Sequence, residues 1–255
     1  DSAGKIWFSS AVGVGYYDPY TDESGSLGLI GGNMTFDIET DRNGNIWFAS
    51  ESLFRYDSKT SGMHTYSFRD TQPSILAVDS LGTLWVLMRD GTVYTYDRLK
   101  DVFTQQDPNR KIKHIKPISE GRMLVATDSD DVYILDCISL RTEEIYKAED
   151  GRATRCLCEG SNGEFWIGTD NGLFIRRENK AYNGEAFHSE STPASISADF
   201  ITSIDKDQSG NMWIGTYYTG INIWKNTQDE MSIFFSNPSD NSIKGDIVRS
   251  ICSDR

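Results

Sequence analysis

One phrase recurs along this chain and restricts what it can fold into. Asp41-Arg42-Asn43-Gly44-Asn45-Ile46-Trp47-Phe48 returns as Asp79-Ser80-Leu81-Gly82-Thr83-Leu84-Trp85-Val86 and again as Asp207-Gln208-Ser209-Gly210-Asn211-Met212-Trp213-Ile214. Residues 1–8 are a further copy, with Asp1, Gly4 and Trp7 in the same places. The copy around Gly163 and Trp166 has lost its leading Asp, and the copy around Gly121 has Leu124 where the Trp belongs. The anchoring glycines, Gly4, Gly44, Gly82, Gly121, Gly163 and Gly210, are spaced 40, 38, 39, 42 and 47 residues apart. A period near forty without a helical pattern inside it specifies a radial or stacked array of small sheets.

Within one period, residues 199–236, the pattern alternates short β-rich runs with turns. Phe200 to Asp205 is a first strand. Asp207-Gln208-Ser209-Gly210-Asn211 is a turn in which Asp bonds backbone amides and Gly supplies positive φ. Met212 to Thr216 is a second strand, Ile221 to Trp224 a third with alternating polarity, and Ser232 to Phe235 a fourth. Four antiparallel strands per period make one blade of a β-propeller, so the expected fold is all-β, with six repeats visible. An aliphatic residue stands six positions before each turn glycine: Ile38, Leu76, Ile115, Leu157 and Ile204. The phrase's Trp is expected to lie buried between neighbouring blades, where a large flat ring removes the most apolar area from water.

Bulk composition narrows the function. With 25 basic and 38 acidic residues the net charge is −13. That field repels phosphate backbones and anionic membranes, so nucleic acid is not an expected partner and this portion is expected to make no membrane contact. No apolar stretch of about 18 residues is present. No signal peptide is visible and residue 1 falls inside a repeat, so the chain reads as a processed or excised piece of something longer. Residues 1–255 are expected to form a single propeller domain or a fragment of one. The four cysteines read as small buried apolar residues, with Cys156 and Cys158 poorly placed to bond each other.

Candidate chemistry is sparse. Asp205-x-Asp207-x-Ser209-Gly210 imitates the start of a calcium loop, but Thr216 occupies the position where such a loop needs Glu, so it reads as a hairpin turn. His64, His114 and His188 lack partners at metal-ligand spacing, Glu143-Glu144 reads as solvated surface, and no nucleophile elbow or phosphate loop occurs. No catalytic residue, metal ligand or cofactor is expected. The informative variation lies elsewhere. The Asp-x-x-Gly turns join first to second strands and crowd one rim. The opposite rim receives the loops between repeats, which differ most, and the turns joining second to third strands. Variable loops grouped on one face carry binding. Those turns supply Tyr217, Tyr218, Arg89, Asp90, Glu51, Asp170 and Asn171, and Arg155 and Arg249 lie in or near first strands. Aromatic rings beside Asp, Asn and Arg suit a sugar, whose apolar face they cover while polar groups bond its hydroxyls.

The phrase Asp-x-x-Gly-Asn-hydrophobic-Trp-hydrophobic-Gly-Thr followed by Gly-Leu/Ile resembles the two-component regulator propeller repeat. Pro193 through Trp213-Ile214-Gly215-Thr216 to Gly220-Ile221 carries the resemblance best, followed by Asn237 to Val248 and by Asn162 to Phe174. The resemblance implies blades of a seven-bladed ring, with six-bladed closure as the alternative, in which residues 247–252 would pair with residues 5–10. It also implies the periplasmic sensor portion of a membrane-anchored hybrid histidine kinase, homodimeric in the full receptor. Such a receptor would detect an oligosaccharide and control carbohydrate-utilisation genes. Two rival readings are a propeller lyase, which would need a catalytic His and a metal site, and a protein-interaction scaffold.

Overall fold

The computed structural model describes residues 1, 4–10, 12–107, 109–148, 152–161, 163–177, 185–187, 196–226, 230–234, 243 and 245–251. Every regular element among them is a strand. The first sheet holds three: β1 (Ile6–Ser10), β2 (Gly13–Asp18) and β3 (Glu23–Gly28). The second is β4 (Asp37–Thr40), β5 (Ile46–Ala49), β6 (Leu53–Asp57) and β7 (Gly62–Tyr66). The third is β8 (Pro73–Val78), β9 (Leu84–Met88), β10 (Val93–Asp97) and β11 (Val102–Gln106). The fourth is β12 (Ile112–Ile118), β13 (Arg122–Thr127), β14 (Val132–Asp136) and β15 (Thr142–Tyr146). The fifth is β16 (Thr154–Glu159), β17 (Glu164–Thr169), β18 (Gly172–Arg177) and β19 (Glu185–Phe187). The sixth is β20 (Ile201–Lys206), β21 (Met212–Thr216), β22 (Ile221–Lys225) and β23 (Glu230–Phe234).

Each sheet is a meander whose neighbours in space are neighbours in sequence, the blade of a β-propeller. The chain divides into two compact units, Asp1–Met123 and Leu124–Arg255. In the first unit β4 packs on β8 and β8 on β12; in the second β16 packs on β20. Within each unit, successive blades therefore meet through their first strands. The first sheet holds only the equivalents of a second, third and fourth strand, and residues 247–251 form no strand.

The repeated phrase is a hydrogen-bonded device. All six turn glycines have positive φ, from 68° to 92°, where a Cβ would strain the backbone. In the third sheet Asp79 Oδ1 accepts the amides of Leu81 and Thr83, each at 2.9 Å, and Oδ2 accepts the Trp85 indole N–H at 2.8 Å. The Asp41–Trp47 bond is 2.9 Å, Asp207–Trp213 is 2.9 Å and Asp1–Trp7 is 2.8 Å. One carboxylate thus closes the turn and satisfies the polar atom of a core side chain. The Asp207 carboxylate is used up in this way, which accounts for the calcium-like spacing without an ion.

The irregular copies obey the same rule. In the fifth sheet the Asp position is Gly160, and the Trp166 indole N–H turns instead to Glu164 Oε2 at 3.3 Å. Arg177 holds the other oxygen of Glu164 at 2.9 Å. In the fourth sheet Leu124 needs no partner, and the Asp position is the buried Ile118. Carboxylate and indole are lost together.

The indoles fill the gaps between blades. Trp47 is packed with Leu53 of its own sheet and Leu76, Val86 and Met88 of the next. Trp166 lies in one cluster with Met212 and Ile214 of the next sheet, its ring 5.8 Å from that of Trp224. Trp47, Trp85 and Trp166 are 0 to 2% exposed. Trp213 departs from expectation in being only half-buried, because the described residues that follow its sheet, 243 and 245–251, lay no strand over it. Cys158 is buried as expected; Cys137 and Cys156 are half-buried, and Cys252 lies outside the described residues. Cys156 Sγ stands where a Cβ on Gly168 would come within 2.5 Å, so this sulfur fills the space opposite a glycine.

Candidate functional site

The two rims differ in what holds them. On the Asp-x-x-Gly rim, side chains of one turn reach the next: Arg42 donates to the Ser80 carbonyl, Ser80 Oγ accepts the Gly121 amide at 2.6 Å, and Ser161 Oγ donates to the Gly210 carbonyl at 3.2 Å. That rim's side chains are committed to structure. On the opposite rim the turns between second and third strands clasp the following blade mainly through the main chain. The Ile112 amide donates to the Gly91 carbonyl at 2.9 Å, Gly172 to Asp199 at 2.7 Å and Gly220 to Asp246 at 2.9 Å. In the same place Asp130 Oδ1 accepts the Thr154 amide at 3.0 Å. Most side chains on these turns are left to face solvent.

Four of the eight candidate residues come together in the second unit. Arg155, on the first strand β16, stands with Nη2 3.8 Å from Asp170 Oδ2 and its guanidinium carbon 5.0 Å from the centre of the Phe200 ring. Phe200 lies 5.3 Å from Tyr217, and Tyr217 meets Tyr218 edge-on at 4.4 Å. Asp170, Arg155, Phe200, Tyr217 and Tyr218 therefore form one continuous row across the fifth and sixth sheets. Backbone bonds fix both ends: Asp170 exchanges bonds with Ala153 at 2.9 and 3.1 Å, and the Tyr217 amide donates to the Phe200 carbonyl at 3.1 Å. Tyr218 is 66% exposed. Asn171 is exposed beside Asp170, its amide held by Thr169 Oγ1 at 3.1 Å. Arg249, also exposed, follows Val248, whose amide donates to the Thr216 carbonyl at 3.1 Å.

Phe200 is the member that sequence reasoning missed. It reads as a strand residue, and only the structure places it at the mouth of the strand, between an arginine and a tyrosine. Arg89 and Asp90 have other surroundings, in the first unit. The Arg89 guanidinium lies 4.2 Å over the Phe36 ring; Asp90 bonds the Thr92 hydroxyl at 2.6 Å and faces Lys111 at 3.5 Å. The most variable inter-repeat loops, 190–200 and 237–246, lie largely outside the described residues. His114 sits on the first strand β12 and His64 on the fourth strand β7 of their sheets, and His188 lies outside the described residues. No group of three metal-ligating side chains occurs among the described residues.

Comparison with known proteins agrees with this architecture. The sequence model of the two component regulator propeller family matches residues 28–52, 148–171 and 195–218, so these three segments are similar to that family's repeat. The last match runs from the segment before Phe200 through Tyr218. The fold is similar to the extracellular domain of a hybrid two component system from B. thetaiotaomicron, with a TM-score of 0.76 at 20% identity over 98% of this chain. The chain spans 36% of that protein's length. It also resembles virginiamycin B lyase from Staphylococcus aureus, with a TM-score of 0.75 at 12% identity, covering 100% of this chain and 86% of the lyase. A third similar fold is PorZ of Porphyromonas gingivalis, a surface component of the type-IX secretion system: TM-score 0.73, 14% identity, 99% of this chain and 43% of PorZ. No match among curated protein sequences was found.

Proposed function

We propose that this propeller is the extracytoplasmic, non-catalytic sensor portion of a hybrid two-component receptor, coupled to a kinase outside the chain, and that the rim carrying Tyr217 and Tyr218 binds an oligosaccharide. The observation that carries the reading is the row Asp170–Arg155–Phe200–Tyr217–Tyr218, whose members lie in two segments that match the regulator-propeller model, 148–171 and 195–218. Exposed rings backed by fixed polar groups cover the apolar face of a pyranose and bond its edge. The similarity to the lyase extends to fold, and fold does not transfer chemistry. In the full receptor the signal would switch on genes for using the sugar, the receptor acting as a membrane-anchored homodimer.

Isothermal calorimetry with an oligosaccharide panel tests this. Tyr218→Ala is expected to weaken the binding seen with the wild-type chain, and substitutions on the Asp-x-x-Gly rim, such as Ser161→Ala, to leave it unchanged. The reverse pattern would place the site on the wrong face.

A further inference from the structure

The polar groups on this rim are unbalanced in a way that bears on the ligand. Arg155 has its side chain 45% exposed, and among the described residues its guanidinium makes only the long Asp170 pair and the Phe200 stack. Arg249 is exposed and has no described partner at all. The hydroxyls of Tyr217 and Tyr218 and the side-chain amide of Asn171 likewise make no hydrogen bond to the described residues. The Asp170 carboxylate is engaged on both oxygens: Oδ1 accepts the Ala153 amide at 2.9 Å while Oδ2 faces Arg155. Arg155 is the cation of the aromatic row, and its ion pair with Asp170, at 3.8 Å, is a long one.

Resting on the oligosaccharide reading, we infer that the ligand is acidic: a uronate-containing oligosaccharide whose carboxylate docks on Arg155. A guanidinium lying on an aromatic ring keeps its N–H edges in plane and free, the geometry that receives a carboxylate through two parallel hydrogen bonds. The Phe200 ring, its centre 5.0 Å from the guanidinium carbon, keeps Arg155 beside the aromatic row. The Asp170 pair is too long and too exposed to resist exchange; such pairs contribute little. Asp170 orients Arg155 in the empty site and gives way to the ligand. Tyr217 and Tyr218 then cover the adjoining ring, and Asn171 bonds its hydroxyls. A neutral sugar would leave the donors of Arg155 and Arg249 with no anionic acceptor.

The test uses oligogalacturonate, alginate and hyaluronan fragments, each paired with its carboxyl-reduced, neutral form, titrated into the full chain. At least one acidic fragment is expected to bind, its reduced form more weakly. Arg155→Ala should lower affinity for the acid form about 10- to 100-fold, the effect of removing a charged hydrogen-bonding group, and should hardly alter affinity for the reduced form. Arg155→Lys, which keeps the charge but not the planar fork, should recover only part of the loss. Equal binding of acid and reduced forms, both weakened by Tyr218→Ala, would overturn the acidic-ligand inference and keep the sugar reading. Full affinity for the acid form in Arg155→Ala would also overturn the inference. Absence of binding by every fragment, acidic and neutral, would overturn both.

Discussion

The carboxylate–indole unit makes a quantitative prediction in the third sheet, where Asp79 and Trp85 are both almost fully buried. Replacing Asp79 with Ile strands the Trp85 indole N–H and removes the acceptor for the Leu81 and Thr83 amides. Those two amides lie at a turn that water reaches; the indole N–H does not, and an unsatisfied buried donor costs about 1–3 kcal/mol. With the lost turn bonds, Asp79→Ile should destabilise by about 3–4 kcal/mol. Trp85→Leu should cost about 2–3 kcal/mol in cavity and transfer, plus about 1–2 kcal/mol for leaving the carboxylate short of a donor. The double variant copies the Ile118/Leu124 solution of the fourth sheet. It keeps the cavity and turn losses and escapes both polar penalties, so it should be less destabilised than the sum of the single variants by about 2–3 kcal/mol. Urea unfolding followed by far-ultraviolet circular dichroism, with m held common across the four proteins, measures this coupling. Additivity within about 0.5 kcal/mol would refute the claim that the carboxylate stands there for the indole.

Three further outcomes follow from the same contacts. Burial pushes the Asp207 carboxyl up, but hydrogen bonds from Trp213, Asn211 and Ser209 outweigh it and hold it below the ordinary 3.8. Its contribution to stability should therefore be complete above pH 3.8 and fade as pH falls through the lower folded value, and a stability–pH profile of Asp207→Asn should be flatter in that acid range. In the fifth sheet, Glu164→Ala should cost about 1–3 kcal/mol in urea unfolding, because it frees both Trp166 Nε1 and Arg177, whereas Glu164→Gln, which keeps an acceptor, should cost less. Tyr66 and Tyr96 both donate to Asp101 Oδ1 at 2.6 Å, which with Arg55 holds the Asp101 carboxyl below its ordinary range; Tyr66→Phe and Tyr96→Phe should each cost about 1 kcal/mol and combine non-additively.

Much of the fold was legible because its determinants are local and periodic. Gly44, Gly82 and Gly210 mark turns that only a left-handed backbone allows, and the apolar runs that follow the first two, Ile46–Ala49 and Leu84–Met88, are buried on both faces. What the sequence hid is pairwise. The Asp at the head of the phrase reads as a turn former, yet Asp41 spends one oxygen on the turn and the other on an indole six residues away. The substitutions at Gly160 and Ile118 look like decay until Glu164 and Leu124 are seen beside them. For the site, rim membership of Tyr217, Tyr218 and Asp170 follows from strand order. Their union depends on Phe200 and Arg155, residues from the starts of two successive first strands, and no spacing rule announces that contact.

The main-chain clasp between a turn and the next blade carries a consequence for how such a fold can change. At Gly91–Ile112, Gly172–Asp199 and Gly220–Asp246 the bond is made by peptide groups, and the residue type it asks for is the glycine, held at φ of 83°, 112° and 80°. Beyond those glycines, selection for stable blade contacts says less about the side chains on these turns, whereas the Asp-x-x-Gly turns are held by particular residues such as Arg42, Ser80 and Ser161. A lineage can redraw the exposed side chains of these turns one residue at a time while the scaffold stays within its margin of stability. What is inherited is a frame, and the exposed surface is the part left open to drift.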